Sequence, residues 1–375
     1  MMPKFHWSVA LGSWSTNRGR ILVLVAFLLV LKGDGFDTVR PSVTTEAVAT
    51  DPDDPAIWVN TKYPERSLIL GTDKAAGPNG ALYIFGLDGK TRGKMEGLDR
   101  PNNVDVGYGL MVGKEKIDIA VLTERGQHRL RVYRIDSENG RLADIGEVKV
   151  FEGEQGERSA PMGIALYRRP RDGSMFAIVS RKTGPDGGYL WQYRLLEDGK
   201  DRVRGQLVRK FGKYSGSKEI EAVMVDSELG YVYYADERSG IRKYFADPDH
   251  ADAEHELAVF GKDGFEGDRE GIALYAREDG TGYIICTDQK SRNSAYRIYR
   301  REGTRTNPND HSELITLLRG GADSTDGLDA TSVALGPKFP AGILVAMNSR
   351  PKNFLVFNWD SIAEAGGVQL RKARK

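Results

Sequence analysis

The sequence predicts an all-β fold, a six-bladed β-propeller whose last blade is closed by an N-terminal strand. Three observations carry the prediction. From residue 43 onward a module of roughly 50 residues recurs, six copies in all. Each copy has a short apolar strand, a turn, a second β-rich strand, a polar loop and a third strand ending in aromatic or branched residues. Helical periodicity is nearly absent, with 359–364 the one candidate helix. Finally, 44 glycines and 15 prolines supply the turns that many short strands require.

In chain order, Lys4, Arg18 and Arg20 precede an unbroken apolar run at 21–31, which Lys32, Gly33, Asp34 and Gly35 close. That run is shorter than the roughly 20 residues that span a bilayer and fits the apolar region of a signal peptide. No A-x-A pattern precedes Lys32, so an uncleaved signal anchor is the alternative. The division expected is a signal peptide or anchor with lead-in over 1–36, then one propeller domain over 37–375. Export to the periplasm or medium follows, and 37–41 reads as a disordered lead-in. Second strands open at Leu68, Ile117, Met175, Tyr231, Tyr283 and Ile343, and third strands at Ala81, Arg129, Tyr189, Ile241, Ala295 and Phe354. Residues 43–49 have strand composition but precede the first module, while the sixth module lacks an outer strand. The segment is therefore expected to complete the sixth blade. The basic end 371–375 reads as a solvated tail.

Bulk composition excludes several classes. With 54 basic and 53 acidic residues the net charge is +1, so no nucleic-acid footprint is present. Hydrophobic residues make up 40% and charged residues 29%, ordinary for a soluble globular protein. Cys286 is the only cysteine, which rules out an intrachain disulfide.

The charged residues converge by register. Asp51, Asp53 and Asp54 crowd carboxylates just ahead of the apolar stretch 56–59. Such a cluster is costly to bury unpaired and suits a hard cation such as calcium, which favours oxygen ligands. First and second strands of a module form a hairpin, so first-strand starts and second-strand ends share one face. First-strand starts carry Asp54, Asn103, Met162, Glu221, Glu270 and Asp326; second-strand ends carry Lys74, Arg125, Lys182, Glu237, Gln289 and Asn348. Any one of these reads equally well as a solvated loop residue. Six loops choosing the same position do not. Carboxylates together with a Lys/Arg arc imply a hard cation plus an anionic ligand, and phosphate fits best.

Rival chemistries fail on context. Cys286 and Arg292 have the C-x5-R spacing of cysteine phosphatases, but the loop between lacks glycine, contains Asp288 and leads into a strand. Asp51 and Asp53 imitate an aspartyl-phosphate nucleophile without a strand-to-helix turn. The histidines His6, His128, His250, His255 and His311 have no metal spacing. Gly89, Lys90 and Thr91 form a hairpin turn, not a phosphate loop.

The stretch Asp53-Asp54-Pro55-Ala56-Ile57-Trp58 resembles the hallmark of the β-propeller phytases, a calcium-dependent family that hydrolyses myo-inositol hexakisphosphate. Further matches are Asn102-Asn103-Val104-Asp105, Ile117-Asp118-Ile119-Ala120, Asp268-Arg269-Glu270-Gly271 and Ser324-Thr325-Asp326-Gly327, so the likeness covers about 45–360. By position it implies several Ca2+ ions held by Asp54, the Pro55 and Val104 carbonyls, Glu221, Asp268, Glu270 and Gln289. It implies phosphate binding by Lys74, Arg125 and Lys182, and hydrolytic support from Glu237, Glu270 and Asp326. Met162 stands where that family has a phosphate-contacting Tyr, and Ala222 replaces a Gly. The segment before Asp326 is shorter, and Glu219 and Arg269 have no assigned role.

The resulting expectation is a calcium-dependent phosphomonoester hydrolase acting on phytate. A metal-activated water attacks phosphorus, with no covalent intermediate. The partner is a small-molecule inositol phosphate; no nucleic acid and no stable membrane association are expected once a signal is cleaved, and the protein is a monomer. The alternatives are a non-catalytic calcium-stabilised binding propeller and a lactonase-type propeller hydrolase. A neutral lactone gives the three cations no purpose.

Overall fold

The computed structural model describes residues 37–367; the expected signal or anchor in 1–36 and the basic end 371–375 lie outside the described residues. Two short strands come first, β1 (Asp37–Thr38) and β2 (Val43–Thr44). Antiparallel meanders follow. β3 (Pro52–Trp58), β4 (Leu68–Asp73), β5 (Gly80–Gly86) and β6 (Thr91–Leu98) make one four-stranded sheet. β7 (Pro101–Val112), β8 (Glu115–Glu124), β9 (Arg129–Ile135) and β10 (Leu142–Lys149) form a second meander. β11 (Pro161–Arg168), β12 (Met175–Arg181), β13 (Gly187–Glu197) and β14 (Val203–Lys213) form a third. One parallel pairing, Gly146 with Val203, joins these two into an eight-stranded sheet.

β15 (Val223–Asp226), β16 (Tyr231–Asp236), β17 (Gly240–Phe245) and β18 (Ala258–Phe260) make the next sheet. β19 (Ile272–Ala276), β20 (Gly282–Asp288), β21 (Ala295–Arg300) and β22 (Leu314–Arg319) take β1 as a fifth strand. β23 (Leu328–Thr331), β24 (Ile343–Asn348) and β25 (Asn353–Asn358) take β2. The sheets are arranged as in a propeller. Among the described residues no helix is long and apolar enough to cross a membrane.

The burial pattern explains the sequence pattern. β4, β12, β20 and β24 are buried along their whole length, so they read as continuous apolar runs, whereas outer β6 alternates between half-buried and exposed. The core is a series of layers between neighbouring sheets. Ile69, Phe85, Met347 and Phe354 fill the layer between the first and last sheets; Trp58, Leu70, Leu122 and Tyr133 fill the next one round.

Closure works as the sequence suggests, with one addition. β2 pairs antiparallel with β25 (Val43 opposite Val356), and Thr45 N and Val48 N continue the ladder to Phe354 O and Lys352 O at 2.9 and 2.8 Å. Residues 37–38, expected in a disordered lead-in, instead form β1, parallel to β22. The physical cause is Val39, 5% exposed, which packs with Leu318, Phe357 and Trp359 and draws the preceding residues into register. The one α-helix among the described residues, α1 (Trp359–Gly366), starts where the Asn358 side chain accepts from Asp360 N, and buries Trp359 against Tyr275.

Among the described residues the inner strands of successive meanders share no backbone ladder, and buried carboxylates link several of them instead. Asp329 accepts from Ile57 N (2.7 Å), Asp54 from Val104 N (3.0 Å) and Asp105 from Leu166 N (2.7 Å). Burial pushes Asp105 up to about 7 and Asp329 up to about 6. The inner strands enclose an axial cavity of about 410 Å3, with Asp54, Val104 and Glu270 among its lining.

Candidate active site

Two repeated devices place the functional side chains. The last residue of most second strands turns a buried polar group back onto the loop entering its own sheet. Asp73 accepts from Ala49 N and Thr50 N (both 3.1 Å) and Asp51 N (2.7 Å); Asp288 accepts from Gly267 N (2.7 Å), Asp236 from Ser215 N (2.8 Å) and Glu124 from Asp99 N (2.9 Å). The residue after each tie is Lys74, Arg125, Glu237 or Gln289, at the shared end of the sheets. Asn348 is a correction to the sequence reading. It occupies the tie position, accepting from Asp323 N at 2.9 Å, and does not join the ring.

The second device is a hydroxyl one residue before the tie. Thr72 accepts from Asp54 N and donates to Asn102 O (3.0 and 2.6 Å), and Thr123 accepts from Asn103 N and donates to Met162 O (3.0 and 2.7 Å). Ser180 accepts from Gly163 N at 2.9 Å and donates to Ile220 O. Each hydroxyl thus fixes one first-strand start and staples it to the next.

On the acidic side, Glu237, Asp268 and Glu270 bring oxygens within 4.8 Å of one another. Gln289 donates its side-chain amide to Asp326, leaving its Oε1 free of that bond, and Gln289 N reaches Asp268 O at 2.9 Å. Glu221, 9% exposed, is 3.4 Å from the Asn102 amide. Burial, then the Glu221 charge, pushes Glu237 up to about 7 and Glu270 well above the carboxylate range. Burial and Asp53 do the same to Asp326. These acids resist ionising together. Two buried oxygens in this region, Asp53 Oδ2 and Asn102 Oδ1, have no hydrogen-bond donor. An all-oxygen set with orphaned acceptors and mutual repulsion fits a hard cation such as calcium. Asp268 is also paired to Lys218 (3.2 Å) and Arg238 (2.6 Å), side chains about half exposed and able to swing away.

The three predicted cations differ. Lys74 Nζ lies 2.5 Å from Asp53 and 3.8 Å from Asp326, and their charges with that of Glu221 outweigh burial and keep it firmly protonated. Lys182 pairs with Glu219, which accounts for one residue the sequence left without a role. Arg125 forms no ion pair within 4.0 Å among the described residues; burial and neighbouring Arg100 push it down. Met162 is fully buried.

The sequence places Asp53 in the acidic cluster but gives it no ligand role. The signal was its place beside Asp54, but which of two adjacent acids turns inward depends on the irregular register between Pro52 and Pro55. Cys286 is fully buried, its thiol pushed up to about 12 by burial, and Arg292 N is held by Asp323, so no phosphate loop forms there.

The body is all-β and propeller-like, and its rim interleaves acids and cations, Lys74 against Asp53 and Asp326 and Lys182 against Glu219, an arrangement suited to an anionic ester held beside a cation. Residues 32–372 match the phytase family. The 3-phytase of Bacillus subtilis (strain 168) is 32% identical over 326 residues, covering 83% of this chain and 80% of that protein. Two crystal structures of BBS1N in complex with ARL6DN, soaked with lead or mercury, superpose with TM-scores of 0.43 and 0.45 at 10% identity, over 81% and 82% of this chain and 78% and 79% of theirs. The chain belongs to the phytase family, enzymes that hydrolyse phytate.

Proposed function

We propose that the chain is an exported, monomeric, calcium-dependent phosphomonoesterase of six four-stranded blades that cleaves phytate at the rim described above. The eight-stranded sheet counts as two blades, because its meanders touch through one bridge. The observation that carries the reading is the meeting of Glu237, Asp268 and Glu270 within 4.8 Å on a rim that also bears Lys74, Arg125 and Lys182.

In this reading Asp54, the Pro55 and Val104 carbonyls, Glu221, Asp268, Glu270 and Gln289 hold the metal ions, with Asp53 added because of its orphaned oxygen. Bound calcium would supply positive charge at the phosphate oxygens and acidify a coordinated water. Lys74, Arg125 and Lys182 bind the phosphate oxygens through charge-assisted hydrogen bonds and orient the ester. Glu237, Glu270 and Asp326 orient the attacking water and receive its proton. The buried Cys286 takes no part, and a water attacks phosphorus directly in this reading.

The test is phosphate release from phytate and from an aryl monophosphate, each with calcium and with excess chelator. Phytate turnover that needs calcium and greatly exceeds that of the monophosphate is the expected result. Full activity after exhaustive chelation overturns the metal reading, and equal efficiency on both substrates overturns phytate as the preferred ester.

A further inference from the structure

Arg269 lies between two of the clustered acids, and its surroundings give it work to do. Asp268, Arg269 and Glu270 are consecutive residues on the approach to β19. Asp268 and Glu270 reach the acidic cluster; Arg269 turns to the other side and is 3% exposed. Among the described residues its guanidinium has no ion-pair partner within 4.0 Å. It donates to three main-chain carbonyls: Nη1 to Glu237 O (2.7 Å), Nη2 to Lys262 O (2.7 Å) and Nε to Gly261 O (2.9 Å). Its Cζ lies over the Phe265 ring, 4.0 Å from the ring centre.

The Glu237 bond is the informative one. Glu237 follows β16, whereas Asp268 and Glu270 lead into β19, and these strands belong to sheets with no backbone ladder between them. The third acid of the cluster therefore comes from a different sheet than the other two. Arg269 spans the gap, holding the peptide oxygen of Glu237 while its own peptide carries Asp268 and Glu270. On the other side of Glu237, its N–H reaches Glu219 O at 3.3 Å. A rigid fork that binds three carbonyls and stacks on a ring fixes position in a way a lysine cannot.

We propose that Arg269 is a positioning residue that sets the distance from Glu237 to Asp268 and Glu270, and thereby the cluster's affinity for a divalent cation. The proposal rests on the calcium reading of that cluster. Groups that orient a ligand without touching the metal typically change its affinity by about 10–100-fold.

The experiment measures calcium affinity of the full chain by calorimetry, with terbium luminescence as a second readout, for wild type, Arg269→Met, Arg269→Lys and Glu237→Gln. Arg269→Met is expected to weaken calcium binding about tenfold. Arg269→Lys, which keeps the charge but not the fork, should recover only part of it. Combined with Glu237→Gln, the Arg269→Met effect should largely vanish, because the residue acts through Glu237. A folded Arg269→Met with wild-type affinity, or fully additive effects in the double variant, overturns the proposal. Should Arg269→Met not fold, Arg269→Lys and its double variant with Glu237→Gln decide by the same criteria. Wild-type protein that takes up no calcium refutes the metal reading itself, an outcome distinct from an unchanged variant.

Discussion

Lys74 and Arg125 occupy matching positions but answer to different neighbours. Lys74 is 16% exposed at its side chain and compensates buried Asp53, so Lys74→Ala should lower both turnover and melting temperature. Arg125 has no ion-pair partner within 4.0 Å among the described residues, so Arg125→Ala should raise KM for phytate about tenfold and leave melting nearly unchanged. Steady-state kinetics and calorimetry on the two variants check this; an Arg125→Ala protein that unfolds would mark a structural arginine. His311 offers a second measurement far from the rim. It is 1% exposed, donates Nδ1–H to Arg300 O (2.7 Å) and accepts at Nε2 from Lys243 Nζ (3.2 Å), among the Tyr233 and Phe260 rings with Asp310 beside it. Burial, then Lys243, pushes it down to about 4. The unfolded chain takes up a proton below about 6.5 and the folded one only near 4, so stability falls as pH drops through that window, by up to about 3 kcal/mol. Asp105 and Asp329, pushed up by burial, act in the opposite sense. Comparing melting of wild type and His311→Gln from pH 7 to 5 isolates the histidine: the variant should lose less stability. Equal losses would refute the assignment.

Among the elements, the inner strands depend on close backbone approach from one sheet to the next. At Gly163, in β11 beside Met162, an added Cβ would sit 1.8 Å from Glu221 O. The contact is main chain and has nowhere to yield. Gly163→Ala should therefore displace Glu221, cost about 3 kcal/mol or more, and weaken calcium uptake. At Gly187 in β13 an added Cβ meets nothing within 4 Å, so Gly187→Ala should stay within about 0.5 kcal/mol. Thermal melts of the pair give the answer. A mild Gly163→Ala would mean that the sheets slide past one another more freely than these contacts imply. The hydroxyls of Thr72, Thr123 and Ser180 belong to the same scale, since each ties a first-strand start of its own meander to the next meander.

For the whole molecule, the rim is where separate sheets meet with like charges facing each other, and a cation bound there would couple to the fold. Chelation should lower the melting temperature as well as abolish turnover, because burial and the charges of Glu221, Glu237 and Asp326 oppose ionisation of Glu270 once uncompensated. Calcium at about 100 times its dissociation constant should restore about 2.7 kcal/mol per independent site. A melting temperature unmoved by chelator and by added calcium would separate the rim from stability altogether.

Much of this molecule was legible in the sequence because its signals are periodic or local. Apolar second strands covered on both faces announced themselves as runs, and hairpin register put Lys74, Arg125, Lys182, Glu237 and Gln289 at one end of their sheets. Register failed at Asn348, where the tie and the rim position are adjacent and composition does not separate them. β1 was hidden because two residues pairing with a strand nearly three hundred positions away leave no periodic trace. Only the tertiary structure decided which acids and cations were already paired: Lys74 with Asp53, Lys182 with Glu219, and Arg269 with carbonyls instead of carboxylates. Strand periodicity follows from the geometry of one chain segment. Charge pairing across the rim depends on the angles between separate sheets, which no single segment encodes.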